Sequence, residues 1–203
     1  MVRDDPGSRP GEGRCRRALP GRPEDWFPAR GRVTQVSHTL VLLRHAHAEG
    51  WAASDADRAL APHGVDAAGR VAAWLREQGI QPEVALVSAA VRTQQTWMTV
   101  AADAGWTVVP VIDAGLYTAS PDSALDTIRL TDESVGTLLV LGHNPTIHYL
   151  AQILCDGQGD PAAETELLSG FAPASVAVLE VDVPWARLSE GYGRLRAVRP
   201  GES

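Results

Sequence analysis

Two kinds of apolar pattern alternate along the chain: short unbroken runs, and longer stretches in which apolar residues recur every three or four positions. The first run, Thr39 to Leu43, has no polar residue interleaved and reads as a strand buried on both faces. Residues 46–60 mix Gly, Ala, Ser and acids without a period and read as loop. Pro62 opens a helix in which Ala68, Val71, Ala72 and Leu75 form one apolar face, and Gly79 supplies its stop. Val84 to Ser88 is a second strand. Ser88 then suits the N-cap of a helix from about Ala90 to Ala104, with Gly105 as its stop. Trp106 to Pro110 reads as a third strand. Ser120 and Pro121 suit the cap and first residue of a helix through about Leu130. Thr137 to Leu141 is a strand as plain as the first, and Asn144 and Pro145 suit the start of a helix to about Cys155. Residues 156–170 read as loop, 175–181 as a strand and 192–198 as one more.

Strands alternating with helices predict an α/β fold: a three-layer αβα sandwich whose mostly parallel central sheet carries helices on both faces. One domain over 37–200 is expected, and 44% hydrophobic residues are ample for its core. Residues 1–36 are rich in Pro, Gly and Arg and lack either period, which predicts a disordered tail. A natural start near Val36 is the alternative.

Charge narrows the function classes. The 25 acids outnumber 18 basic residues, and every basic residue is Arg. An acidic balance argues against a general nucleic-acid binder, and the lack of lysine excludes Schiff-base or Walker-type lysine chemistry. Cys15 and Cys155 have unlike surroundings and no metal-ligand spacing, so no disulfide scaffold is expected and a reducing cytoplasm fits. No segment reaches the roughly 20 apolar residues of a membrane span, and no membrane partner is expected.

The candidate chemistry sits at strand ends. Arg44 and His45 follow the first strand, Arg92 falls in the first helical turn after the second, and His143 follows the 137–141 strand. Carboxyl ends of parallel strands share one edge of a sheet, so these residues can converge there. Two Arg side chains, two helix N-termini and two histidines make a site for a dianionic tetrahedral group, the natural case being phosphoryl. A neutral His45 can attack phosphorus, with Arg44 disfavouring its protonated form and Arg44, Arg92 and His143 holding the equatorial oxygens. No cofactor or metal is required by this scheme. His47 sits two residues from His45, which invites a metal reading, but no further ligand set follows downstream, and a loop or pocket-rim role is expected. Asp55, Asp57 and Arg58 are expected to form a loop ion pair, with Arg58 a further candidate for substrate contact. His148 reads as a core or surface residue, His63 as exposed and Cys155 as a buried thiol.

The segments LLRHAHAE, SAAVRTQQT and LGHNP, in this order and at these separations, resemble the histidine phosphatase superfamily with its phosphoglycerate-mutase-like fold. DADRALAPHG, LYTASPDS and FAPASVAVLEVD bring the likeness closer to its SixA-like branch, the phosphohistidine phosphatases. The resemblance spans about residues 38–200. It implies His45 as nucleophile, with Arg44, Arg92 and His143 forming the phosphate pocket. The chain departs from the pattern in four places, one of them His47, at a position that is often charged or polar in relatives. Ala61 stands where the family usually has Thr, Ala89 where Pro is usual, and no glutamate matches the proton donor of many mutases and phosphomonoesterases. Glu49, Asp113, Asp122 and Asp126 are the acids at hand, with no basis for choosing among them.

An alcohol leaving group needs a general acid, whereas imidazole can leave a phosphoramidate already protonated. A site without a placed acid therefore favours protein phosphohistidine, or another small substrate with a labile phosphoryl group, over sugar phosphates. The short loops at 46–60 and 113–121 suggest an open pocket suited to a protein-borne group. The alternatives are a phosphate-dependent binding module with negligible turnover, and a phosphomonoesterase or mutase acting on a small metabolite. Oligomeric state is not legible in the sequence.

Overall fold

The computed structural model describes residues 37–201; the tail expected over residues 1–36 lies outside them. Strand β1 (His38–Arg44) is central, as its unbroken apolar run requires. Leu40 and Leu42 point into one apolar cluster, Val41 and Leu43 into another, and all four are fully buried. Truncating any one of these Leu side chains to Ala costs about 2–5 kcal/mol.

The remaining elements follow in order: α1 (Pro62–Glu77), β2 (Val84–Ser88), α2 (Val91–Ala104), β3 (Val111–Asp113), α3 (Pro121–Arg129), β4 (Thr137–Gly142), α4 (Thr146–Leu154), α5 (Pro161–Ser169), β5 (Val176–Val181) and β6 (Gly193–Arg199). The strands form one sheet in the order β3-β2-β4-β1-β5-β6. β1, β4, β2 and β3 are mutually parallel, while β5 runs antiparallel to β1 and β6 antiparallel to β5. The fold is thus the expected mixed α/β sandwich. α1 and α2 cover the Val41–Leu43 face, and α3 and α4 cover the Leu40–Leu42 face.

Helix ends follow the capping residues in most places. Ser120 accepts a hydrogen bond from Ser123 N at the start of α3, and Gly105 ends α2 with φ 74°, a conformation that costs glycine nothing. Four expectations need correction. The third strand is Val111–Asp113, not 106–110: Pro110 has no N–H for a ladder, and Trp106 instead packs on Trp97 at 5.9 Å between ring centroids. Residues 156–170 are not all loop, because Asp160 caps α5 through Ala163 N at 2.8 Å and Pro161 occupies its first position. Ser88 does not cap α2; Ala90 takes that position, and the Ser88 hydroxyl is committed elsewhere. Asn144 does not cap α4 either. The helix begins at Thr146 after Pro145, and the Asn144 amide donates to Phe171 O at 2.8 Å.

Candidate active site

The parallel register sets the frame of the site. Arg44, the last residue of β1, lies opposite Gly142, the last of β4, and both strands deliver their next residue, His45 and His143, to the same edge. β2 lies on the other side of β4, and the helix that follows it carries Arg92 as its second residue. His45 and His143, 47 and 51 positions from Arg92 in the chain, thereby both come within hydrogen-bonding distance of its guanidinium.

The tautomer of His45 follows from its neighbours. Its Nδ1 lies 2.7 Å from Ala46 O, which can only accept, so Nδ1 carries the proton. Its Nε2 faces Arg92 Nε at 3.3 Å, which can only donate, so Nε2 presents a lone pair. His45 is 9% exposed, and this burial is the main cause that pulls its pKa from 6.5 down to about 3. The Ala46 bond opposes the shift, while His143, Arg92 and then Arg44 reinforce it. The expectation that Arg44 keeps His45 neutral is right in sign, but burial is the larger cause. His45 is an unprotonated base at neutral pH.

His143 is held in the opposite tautomer. Its Nδ1 lies 3.3 Å from Arg92 Nη2, a donor only, so the proton sits on Nε2 and is donated to Ser88 Oγ at 2.8 Å. Burial, followed by the charge of Arg92, lowers its pKa to about 4. The two imidazole rings lie 5.1 Å apart between centroids.

Arg92, 5% exposed, is the hub. Besides both histidines it donates through Nη1 to Asp55 O at 2.7 Å and through Nη2 to Asp55 Oδ2 at 3.0 Å. Asp55 Oδ2 also accepts from the Tyr117 hydroxyl at 2.6 Å, and Asp55 Oδ1 pairs with Arg58 Nε at 2.9 Å. The Tyr117 bond is the leading cause, followed among the lowering effects by the Arg92 charge, that holds the Asp55 carboxyl down at about 2. Asp55 is therefore a carboxylate, not a proton source, at neutral pH. Thr96 Oγ1 ties the two halves together, accepting from Ala46 N at 3.1 Å and donating to Arg92 O at 2.6 Å.

Arg44 closes the other side. Its Nη1 donates to Phe171 O at 2.8 Å, the carbonyl that Asn144 also holds, and its buried Nε has no hydrogen-bond partner among the described residues. Ala174, at φ 64°, turns its N–H onto His45 O at 3.0 Å; a non-glycine residue in that region marks a backbone held by its surroundings.

This geometry agrees with what the chain is similar to. Residues 40–117 match the model of the histidine phosphatase superfamily, branch 1. Phosphohistidine phosphatase SixA of Escherichia coli is 32% identical over 138 residues, covering 64% of this chain and 82% of that protein. The chain belongs to the histidine phosphatase superfamily, in its SixA-like branch. An uncharacterized protein of Mycobacterium tuberculosis is 37% identical over 158 residues, 75% of this chain and 96% of that one. A solved structure assigned as phosphohistidine phosphatase SixA from Nakamurella multipartitia superposes with a TM-score of 0.72 at 33% identity, covering 82% of this chain and 98% of that one. The activity is of the histidine-phosphatase type.

Within this histidine phosphatase, His45, Arg92 and His143 form one hydrogen-bonded cluster, and Arg44 stands beside it on β1. Arg58 does not touch the histidines; it reaches the cluster through Asp55 and donates to Glu49 O at 3.1 Å. The expected loop ion pair forms between Asp55 and Arg58, while Asp57 accepts from the Ser54 hydroxyl at 2.7 Å. The acids considered as proton donors are engaged or set outward. Asp113 accepts from Gly115 N, Asp126 pairs with Arg129, and Glu49 and Asp122 are exposed. His47 packs its ring on exposed His63 at 4.8 Å, and among the described residues no group of three or more His, Cys, Asp or Glu gathers to hold a metal. His148 stacks on Phe171, and Cys155 is a half-buried thiol whose pKa burial raises to about 11. Sequence reasoning missed Ser88, Asp55, Thr96 and Tyr117 as parts of this site. Ser88 carried a signal in its fixed distance from Arg92; Asp55 and Tyr117 lie in loops with no period to betray their direction.

Proposed function

We propose that this protein is a phosphohistidine phosphatase working through a covalent intermediate on His45, with its activity in the domain over 37–200. The observation that carries the reading is the tautomer of His45: Nδ1–H anchored on Ala46 O, and an Nε2 lone pair turned toward the Arg92 guanidinium. The Nε2 lone pair attacks phosphorus, the bond to the leaving group breaks with its electron pair on the leaving atom, and water then hydrolyses phospho-His45. Arg92 and the free Nε–H of Arg44 hold the phosphoryl oxygens as charge builds on them, while His143, whose N–H is committed to Ser88, keeps Arg92 in place through its Nδ1.

The substrate reading rests on Asp55. It is the carboxylate hydrogen-bonded into the cluster, and at a pKa of about 2 it has no proton to give an alkoxide. A leaving group that departs without a general acid suits such a site, and the kinship with SixA, a phosphohistidine phosphatase in E. coli, points the same way. A phosphorylated protein in a reducing cytoplasm is the setting we infer. Labelling with a phosphoryl donor should give an acid-labile adduct on His45 that H45A abolishes, and phosphohistidine should be turned over faster than a simple alkyl phosphomonoester. Equal or faster turnover of the alkyl ester overturns the substrate assignment. A second reading, a phosphate-binding module with negligible turnover, draws on the contact of Arg92 Nε with His45 Nε2, which occupies the attacking lone pair. Failure to form the adduct with intact phosphate binding favours that reading.

A further inference from the structure

Beside the cluster, on the outer side of Asp55, lies a cavity of about 330 Å³ lined by Trp51, Ser54, Asp55 and Arg58. Two features of it are unused by the chemistry described above. Trp51 is 84% exposed among the described residues, a large flat aromatic face open to solvent. Asp55 has an acceptor position to spare. A carboxylate offers about four lone-pair sites. Arg92 and Tyr117 take two on Oδ2, and Oδ1 is engaged by the Arg58 ion pair without a hydrogen bond of good geometry, which leaves an acceptor site on Oδ1. The same carboxylate touches Arg92, so the cavity is joined to the phosphoryl pocket through one shared residue.

We propose that this cavity is the leaving-group subsite and that its occupant is the imidazole ring of a phosphohistidine side chain. The inference rests on the function proposed above and adds the residues that select the ring. Trp51 supplies a stacking wall for a flat ring with a polar edge, and Asp55 Oδ1 accepts the N–H on the ring nitrogen distal to phosphorus, which is present in the protonated, cationic form of the phosphorylated ring that the carboxylate favours. That hydrogen bond makes the chemistry balance without an acid. The bond from His45 Nε2 to phosphorus forms while the bond from phosphorus to the ring nitrogen breaks. The electron pair stays on that nitrogen, and the distal N–H stays where it is, so the ring leaves as neutral imidazole. Phospho-His45 is then the image of the substrate, its own Nδ1–H resting on Ala46 O as the substrate's distal N–H rested on Asp55. A shared carboxylate also explains why an exposed acid is tied to a buried arginine: it links the ring's position to that of the phosphoryl donors.

The test compares phosphoimidazole with acetyl phosphate, a labile donor that has no ring, in wild type, W51A and W51F. Loss of one aromatic stacking partner is worth about a fivefold effect or more. W51A should lower the preference for phosphoimidazole over acetyl phosphate, as the ratio of kcat/KM, at least fivefold through KM, and W51F should restore most of it. Wild type turning over both substrates, with W51A leaving their ratio unchanged, overturns the subsite alone. Wild type that consumes acetyl phosphate but not phosphoimidazole overturns the phosphohistidine reading and the subsite with it.

Discussion

Acid should weaken this fold through His45 in particular. The ring is 9% exposed and its pKa falls from 6.5 to about 3 on folding, chiefly through burial. The folded pKa lies below the unfolded one, so below pH 6.5 the unfolded chain binds the proton that the native state refuses. Stability from this residue is therefore flat above about pH 6.5 and declines as pH falls toward 3. Each pH unit in that window is worth about 1.36 kcal/mol, so moving to pH 5 removes about 2 kcal/mol. For a domain of this size that corresponds to a melting temperature lower by about 4–8 °C. The perturbation that isolates the effect is His45→Asn, which keeps a polar side chain of similar reach but cannot titrate. Urea unfolding of wild type and H45N at pH 7.5 and pH 5 gives four free energies, and the loss on acidification should be smaller in H45N by about 2 kcal/mol. Equal losses in the two proteins refute the argument, since they would mean that His45 takes up its proton in the native state as readily as in the unfolded chain.

Two further substitutions probe the frame. Ser88→Ala removes the acceptor of His143 Nε2–H at a fully buried position. It should cost about 1–3 kcal/mol in chemical denaturation and lower kcat/KM on the order of tenfold as the ring loses its orientation; unchanged kinetics would remove Ser88 from the site. Ala61, the N-cap of α1, makes no side-chain capping bond, so Ala61→Ser should raise stability by about 1 kcal/mol in the same assay, and no gain would show that the cap geometry excludes the hydroxyl.

Much of this site could be read from residue order because its main groups sit where regular structure places them. Arg44 and His45 end an unbroken apolar run, His143 ends another, and Arg92 lies a fixed distance into the helix after β2, so strand pairing alone carries them to one edge. Asp55 and Tyr117 obey no such rule. They reach Arg92 from opposite loops, and the contact that joins them is made by tertiary folding of segments whose direction depends on the whole molecule. Ser88 shows how a local rule misleads: its hydroxyl had a helix to cap nearby, and a half-buried imidazole across the sheet edge claimed it instead. The α5 helix was hidden for a related reason. Its acids and a flanking Gly-rich stretch obscure the period, although Asp160 and Pro161 announce its start.

The amides of Arg44 and His45 are the last rungs of the central ladder, donating to Ser175 O at 3.0 Å and Gly142 O at 3.1 Å, and the carbonyl of His45 accepts from Ala174 N. The candidate nucleophile is thus part of the most protected cooperative unit of the protein, not of a loop that opens by itself. Its backbone can exchange hydrogen with solvent only when the sheet itself opens, so heat should extinguish activity and global structure together, with no inactive but folded stage between them.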